Sequence, residues 1–192
     1  LSSSSATGDT TFTGMTSIVG AEMKNGSANL TMTYSAAAVA GTADTQALSI
    51  SNTSAGTFTA ANVEAVAVTT SLAAATLTSL TAANATSMTV AGDQNLTIAA
   101  AGELTAQTTI DASAFTGRLT LQTDTTANMT LTSGSGADSI TADGGSAITE
   151  TISAGAGNDT VTFDANLADT DVVDGGAGTD TLVSTYALLQ AL

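Results

Sequence analysis

Cysteine, histidine, proline and tryptophan are all absent from this chain of 192 residues, and Lys24 and Arg118 are its only cations. The lack of cysteine rules out disulfides and is compatible with the cytosol or with export. With neither histidine nor cysteine, no Ser–His or Cys–His nucleophile and no histidine-based zinc centre can be built. Two cations stand against 17 acidic residues, a net charge of −15. Phosphate neutralisation needs a basic face, so nucleic acid is excluded as a partner, and an anionic bilayer surface repels such a chain. Divalent cations are the natural counterpart. No apolar run approaches the roughly 18 residues of a membrane span, so no membrane insertion is expected.

Aromatic residues are scarce, at 3%, and much of the 43% apolar content is alanine. Threonine, serine and glycine dominate the rest. Side chains this small cannot fill a thick interdigitated core. They can fill a thin one repeated along an axis. Disorder is the other outcome of such a composition, but the regular spacing of β-branched residues argues against it. Leu1 followed by Ser2–Ser5 reads as the interior of a longer chain, and no basic segment followed by an apolar run marks a signal peptide.

The spacing is the most informative feature. Leu77, Ile98, Leu119, Ile140, Val161 and Leu182 follow one another at steps of 21 residues, as do Val68, Thr89, Ile110, Leu131, Ile152 and Val173. Thr89 is flanked by Met88 and Val90, as a slip of one residue would leave it. Self-similarity at a fixed period marks a solenoid. Around both columns the sequence alternates, as in Leu96-Thr97-Ile98 and Met129-Thr130-Leu131. A period of two indicates strands with one face inward, and threonine suits the outer face because it is β-branched.

The expectation is an all-β fold, a parallel β-solenoid (β-helix or β-roll) with about 21 residues per turn over residues 63–186. Residues 1–62 read as irregular β-structure capping the first edge, and 187–192 as a second cap or the start of a further region.

Three stretches share one phase of the last three repeats. They are Ser133-Gly-Ser-Gly-Ala-Asp138, Ala154-Gly-Ala-Gly-Asn-Asp159 and Gly175-Gly-Ala-Gly-Thr-Asp180, each followed two residues later by Ile140, Val161 or Leu182. Glycine permits positive φ and lets backbone carbonyls approach an ion. Calcium takes six to eight oxygens from carboxylates and carbonyls. Stacked at about 4.8 Å, neighbouring carboxylates repel by about 3.5 kcal/mol at an effective dielectric of about 20, and a cation between turns removes that conflict. The candidate calcium ligands here are Gly134, Gly136, Asp138, Gly155, Gly157, Asn158, Asp159, Gly176, Gly178 and Asp180. Asp159, in the middle turn, is expected to share ions with the turns on both sides.

The opposite turns carry Asp143 in phase with Asp164, and Glu150 with Asp171. Asp143, Asp164 and Asp171 are candidates for a second row of calcium ions, with a solvated acidic rim as the alternative. Glu103 and Asp124 lack glycine-rich loops and read as surface charge.

The glycine–aspartate turns resemble the RTX nonapeptide, G-G-x-G-x-D-x-U-x, which binds calcium in a β-roll. Gly41-Thr-Ala-Asp-Thr, Val63-Glu-Ala-Val-Ala-Val-Thr-Thr, Ser87-Met-Thr-Val-Ala-Gly-Asp and Ile110-Asp-Ala-Ser-Ala-Phe-Thr-Gly-Arg resemble the β-strand-repeat region of RTX-type bacterial S-layer proteins and related surface adhesins. The resemblance spans residues 41–183. It implies a calcium-stabilised solenoid, type I secretion, an extracellular cell-surface location and self-assembly into a homo-oligomeric lattice or fibre. A cell-surface polysaccharide, held through a region outside this chain, is a further partner in that picture. The stalk of an adhesin, or the calcium-binding repeats of a secreted enzyme, would use the same solenoid. The chain itself is expected to be no enzyme, because its acids are better explained as calcium ligands than as a glycosidase pair. Asn-x-Ser/Thr sequons at Asn25, Asn29, Asn52, Asn84, Asn95 and Asn128 are expected by chance in so Ser/Thr-rich a chain.

Overall fold

The computed structural model describes residues 2–4, 8–99, 106–123, 126–142, 147–163 and 167–184. The first coils comprise β1 (Ser2–Ser4), β2 (Thr10–Met15), β3 (Ala21–Lys24), β4 (Leu30–Tyr34), β5 (Thr45–Ser51) and β6 (Thr57–Ala60). The middle holds β7 (Ala65–Thr70), β8 (Ala75–Leu77), β9 (Ser79–Thr81), β10 (Ser87–Ala91), β11 (Leu96–Ile98), β12 (Thr109–Asp111) and β13 (Leu119–Thr123). Last come β14 (Met129–Thr132), β15 (Ser139–Ala142), β16 (Glu150–Ser153), β17 (Thr160–Phe163), β18 (Val172–Asp174) and β19 (Thr181–Ser184).

Parallel pairing organises these strands into a β-solenoid of about eight turns with about 21 residues per turn. One face is a nine-stranded sheet in the order β1-β3-β5-β7-β10-β12-β14-β16-β18. The other face is divided. β2-β4-β6-β9 form a four-stranded sheet, and β8-β11-β13-β15-β17-β19 a six-stranded one. The division falls at Thr78, between β8, which pairs with β11, and β9, which pairs with β6.

The alternation expected from the sequence is present strand by strand. In β13, Leu119, Leu121 and Thr123 are buried while Thr120 and Gln122 face outward. Between the faces lies one continuous thin core that includes Leu30, Phe58, Leu80, Leu96, Phe115 and Phe163, all at 0% exposure.

Register corrects both expected columns. Ile98 pairs with Leu121 and not with Leu119, which lies beside Leu96. Leu121 then pairs with Ile140, so one step is 23 residues and the next 19. A two-residue offset preserves the parity of a strand, so both leucines stay inside. On the nine-stranded face the column runs Val66, Met88, Ile110, Leu131, Ile152, Val173, while Val68 pairs with Val90 and Thr89 points out. Leu182, in the last described coil, is 54% exposed.

Residues before 63 are irregular in coil length. Met23 to Ile50 spans 27 residues and Leu48 to Val68 spans 20, yet β1, β3 and β5 belong to the same sheet as β7, which runs unbroken past residues 62 and 63. Asn25 and Asn52 turn these corners at positive φ, and the Asn52 side-chain amide donates to Asn25 Oδ1 at 2.9 Å. Inside the same coils the Tyr34 hydroxyl donates to Gln46 Oε1, and Gln46 Nε2 donates to the carbonyls of Val19 at 3.0 Å and Ala47 at 2.8 Å. Burial pushes the Tyr34 hydroxyl pKa up. Residues 187–192 lie outside the described residues.

Candidate metal site at the glycine–aspartate corner

The corner leading into β15, β17 and β19 brings the three predicted turns into direct contact. Its glycines form two columns. A Cβ placed on Gly134, Gly155 or Gly176 would lie 1.8, 2.1 or 1.9 Å from the carbonyl oxygen of Phe115, Gly134 or Gly155 in the preceding turn. A Cβ on Gly136, Gly157 or Gly178 would meet the oxygen of Gly117, Gly136 or Gly157 at 2.2, 2.2 or 1.5 Å. Backbone lies flat on backbone here, which only glycine allows. The Ala156 amide donates to Gly134 O and the Ala177 amide to Gly155 O, each at 2.9 Å, so the carbonyls of the first column already bind the next turn.

The acids are as regular as the glycines. Asp159 Oδ1 accepts the Asp138 amide at 2.7 Å, and Asp180 Oδ1 accepts the Asp159 amide at 3.0 Å. Asp138 Oδ1 accepts the Leu119 amide at 2.7 Å, although residues 112–117 contain no acid. Each carboxylate therefore caps the backbone of the turn before it, and this fixes its side chain inward. Asp138 and Asp159 are 2% exposed, whereas Asp180, in the last described coil, is open to solvent.

The second oxygens differ. Asp138 Oδ2 accepts a hydrogen bond from the Ser133 hydroxyl. Asp159 Oδ2 is buried and has no hydrogen-bond partner. Burial pushes the Asp159 carboxyl above the ordinary carboxylate value; the charges of Asp138 and Asp180 act in the same direction, and the Asp138 amide opposes them. Asp180 bounds a cavity of about 180 Å³ lined also by Val161, Val173, Gly175, Thr181 and Leu182.

Comparison with protein-family models, curated proteins and solved structures finds no match. The chemistry of the corner must therefore be read from its own atoms. Carboxylate and carbonyl oxygens are the hard donors calcium prefers, and a buried carboxylate oxygen without a partner is where a cation is most needed. Among the described residues no three acidic side chains converge closely enough to hold one metal ion by themselves. A calcium ion here would draw on Asp159, on a carboxylate from an adjoining turn, and on backbone oxygens of the glycine turns.

Other predicted ligands have different occupations. Asn158 Oδ1 accepts the Thr179 amide at 2.9 Å and so caps the following turn. Asp171, at the opposite corner, accepts the amides of Glu150 at 2.9 Å and Ala168 at 2.7 Å. Asp143 and Asp164, with Gly144, Gly145, Glu103 and Asp124, lie outside the described residues.

Sequence reasoning passed over the asparagines. Asn29, Asn95 and Asn128 each accept a backbone amide from the following turn, those of Thr57, Arg118 and Thr149 at 2.7, 2.9 and 2.9 Å. Asp9 accepts both the backbone amide and the side-chain amide of Asn29, each at 3.0 Å. Their common position at strand entrances was the available signal.

Proposed function

We propose that this chain is a calcium-stabilised structural segment of an extracellular bacterial surface protein of S-layer type, non-enzymatic, whose work is to fold and pack against copies of itself. The observation that carries this reading is Asp159 Oδ2, buried and unpartnered at a corner where Asp138 precedes and Asp180 follows one turn away. An uncompensated buried carboxylate is costly, and a divalent cation is the partner that suits so acidic a chain. Self-packing is supported by the outer face of the six-stranded sheet. Its strands carry no charged residue, and Thr76, Thr97, Thr120, Ser139, Thr160 and Thr181 stand in register along it. The acids of the candidate site are confined to a corner, so two copies can bring flat uncharged faces together.

Two measurements test this. Titration with calcium after chelation should increase β-structure by circular dichroism, with an affinity on the order of 10⁻⁴–10⁻³ M as in extracellular modules. Electron microscopy of the calcium-loaded protein should show ordered two-dimensional arrays. A spectrum and a melting profile indifferent to calcium would end the calcium reading, and isolated fibres would point to a stalk.

A further inference from the structure

Residues 133, 154 and 175 occupy one position of the corner in three successive turns, directly after the registered residues Thr132, Ser153 and Asp174. Each stands five residues before the acid of its own turn. The position faces that acid: the Ser133 hydroxyl bonds Asp138 Oδ2, and a Cβ on Gly175 would sit 2.6 Å from Asp180 Oδ2. The residue differs in each turn, being serine, alanine and glycine. Serine supplies a donor, alanine supplies an inert methyl, and at glycine the Asp180 side chain itself fills the space a Cβ would take.

We infer that Ser133 is a built-in substitute for the cation: its hydroxyl occupies the oxygen of Asp138 that an ion would otherwise take, so calcium goes to Asp159 and towards Asp180, and the turn at Asp138 closes without metal. The inference rests on the calcium reading above and specifies where along the corner the ion is held. Both oxygens of Asp138 have donors, the Leu119 amide and the Ser133 hydroxyl. Asp159 has the Asp138 amide on Oδ1 and nothing on Oδ2, because Ala154, itself at 0% exposure, has no donor to offer. A hydroxyl is a weaker counterpart than a divalent cation, but it is present before any ion arrives. The first turn is thereby formed in advance, as a template onto which the ion-dependent turns close.

The test exchanges the two residues separately in the full chain, with calcium chloride as the titrant in calorimetry and thermal melts in chelator. Ala154→Ser, which adds one oxygen at a buried site, should lower the calcium stoichiometry by one and raise the melting temperature in chelator. Ser133→Ala should raise the stoichiometry by one and lower the melting temperature in chelator, with calcium restoring it. Asp138→Asn should leave the stoichiometry of the parent unchanged, whereas Asp159→Asn should reduce it by one. Unchanged stoichiometry in Ala154→Ser, or equal losses in Asp138→Asn and Asp159→Asn, would overturn the role of Ser133 while leaving calcium binding intact. A parent chain that binds no calcium would overturn the calcium reading and this inference together.

Discussion

Gly155 sits where successive turns stack backbone on backbone, and replacing it with alanine gives a clean measure of that stacking. Its φ is +90°, and an added Cβ would fall 2.1 Å from the Gly134 carbonyl oxygen. Two costs follow. Holding a residue other than glycine in so sparsely populated a backbone region costs about 1–3 kcal/mol. Moving the chain to relieve the clash disturbs the bond from the Ala156 amide to Gly134 O, worth about 1 kcal/mol. The two costs add, so Gly155→Ala should destabilise by about 2–4 kcal/mol. The loss belongs to the C-terminal coils, because in a solenoid each turn touches only its neighbours. Urea melts in chelator followed by hydrogen exchange would read it, with Gly8→Ala as the control. Gly8 is exposed, a Cβ on it meets nothing within 4 Å, and the change there should be near zero. If Gly155→Ala stayed within about 0.5 kcal/mol of the parent, as an ordinary surface change does, the backbone contact that defines this corner would not exist.

Other perturbations reach other parts of the molecule. Asp159 has a folded-state pKa raised above 3.8, so its contribution to stability is full below that value and is lost as pH rises through the folded value. In chelator the parent should therefore lose stability as pH rises above the ordinary carboxylate range, and Asp159→Asn should flatten that slope; an unaltered slope in the variant assigns it to other acids. Leu72 is 88% exposed with φ +64° at the centre of a turn closed by the Ala73 amide on Ser71 O at 2.7 Å. Asparagine tolerates that conformation better, so Leu72→Asn should raise stability by about 1 kcal/mol in thermal melts. Tyr34→Phe removes the donor to Gln46 Oε1 and should cost about 1–3 kcal/mol, measurable as a lower urea midpoint, since it leaves a buried amide oxygen unmatched.

The period of the fold was legible because inward positions demand bulky aliphatic side chains, and only a regular recurrence of them can line a thin core. Ile140, Val161 and Leu182 are in register as their spacing implied. The exchange of Leu119 for Leu121 was not legible, since a two-residue offset leaves every side chain on its own face. At the corner, the glycines and acids announced themselves through their phase. Their contacts were only half foreseen: the first-column carbonyls turn to the next turn's amides. Asn29, Asn95 and Asn128 looked like accidents of composition, because a side chain that caps an amide about one coil away has no local sequence mark. Ser133 stands where the nonapeptide has its first glycine, and its hydroxyl acquires meaning only once Asp138 is seen to point inward.

Uneven coils that keep a common pairing have a consequence for how such a protein changes in length. The coil from Met23 to Ile50 uses 27 residues and that from Leu131 to Ile152 uses 21, yet each advances its sheet by a single strand. Extra residues are taken up in the corners and add nothing to the height of the rod. Its nine-stranded face measures about 38 Å from first strand to last at the usual spacing of about 4.8 Å, and that figure depends on how many coils there are and not on how many residues they contain. Insertion of a few residues at a corner would therefore leave the rod as tall as before, while duplication of one whole coil would lengthen it by a single fixed increment.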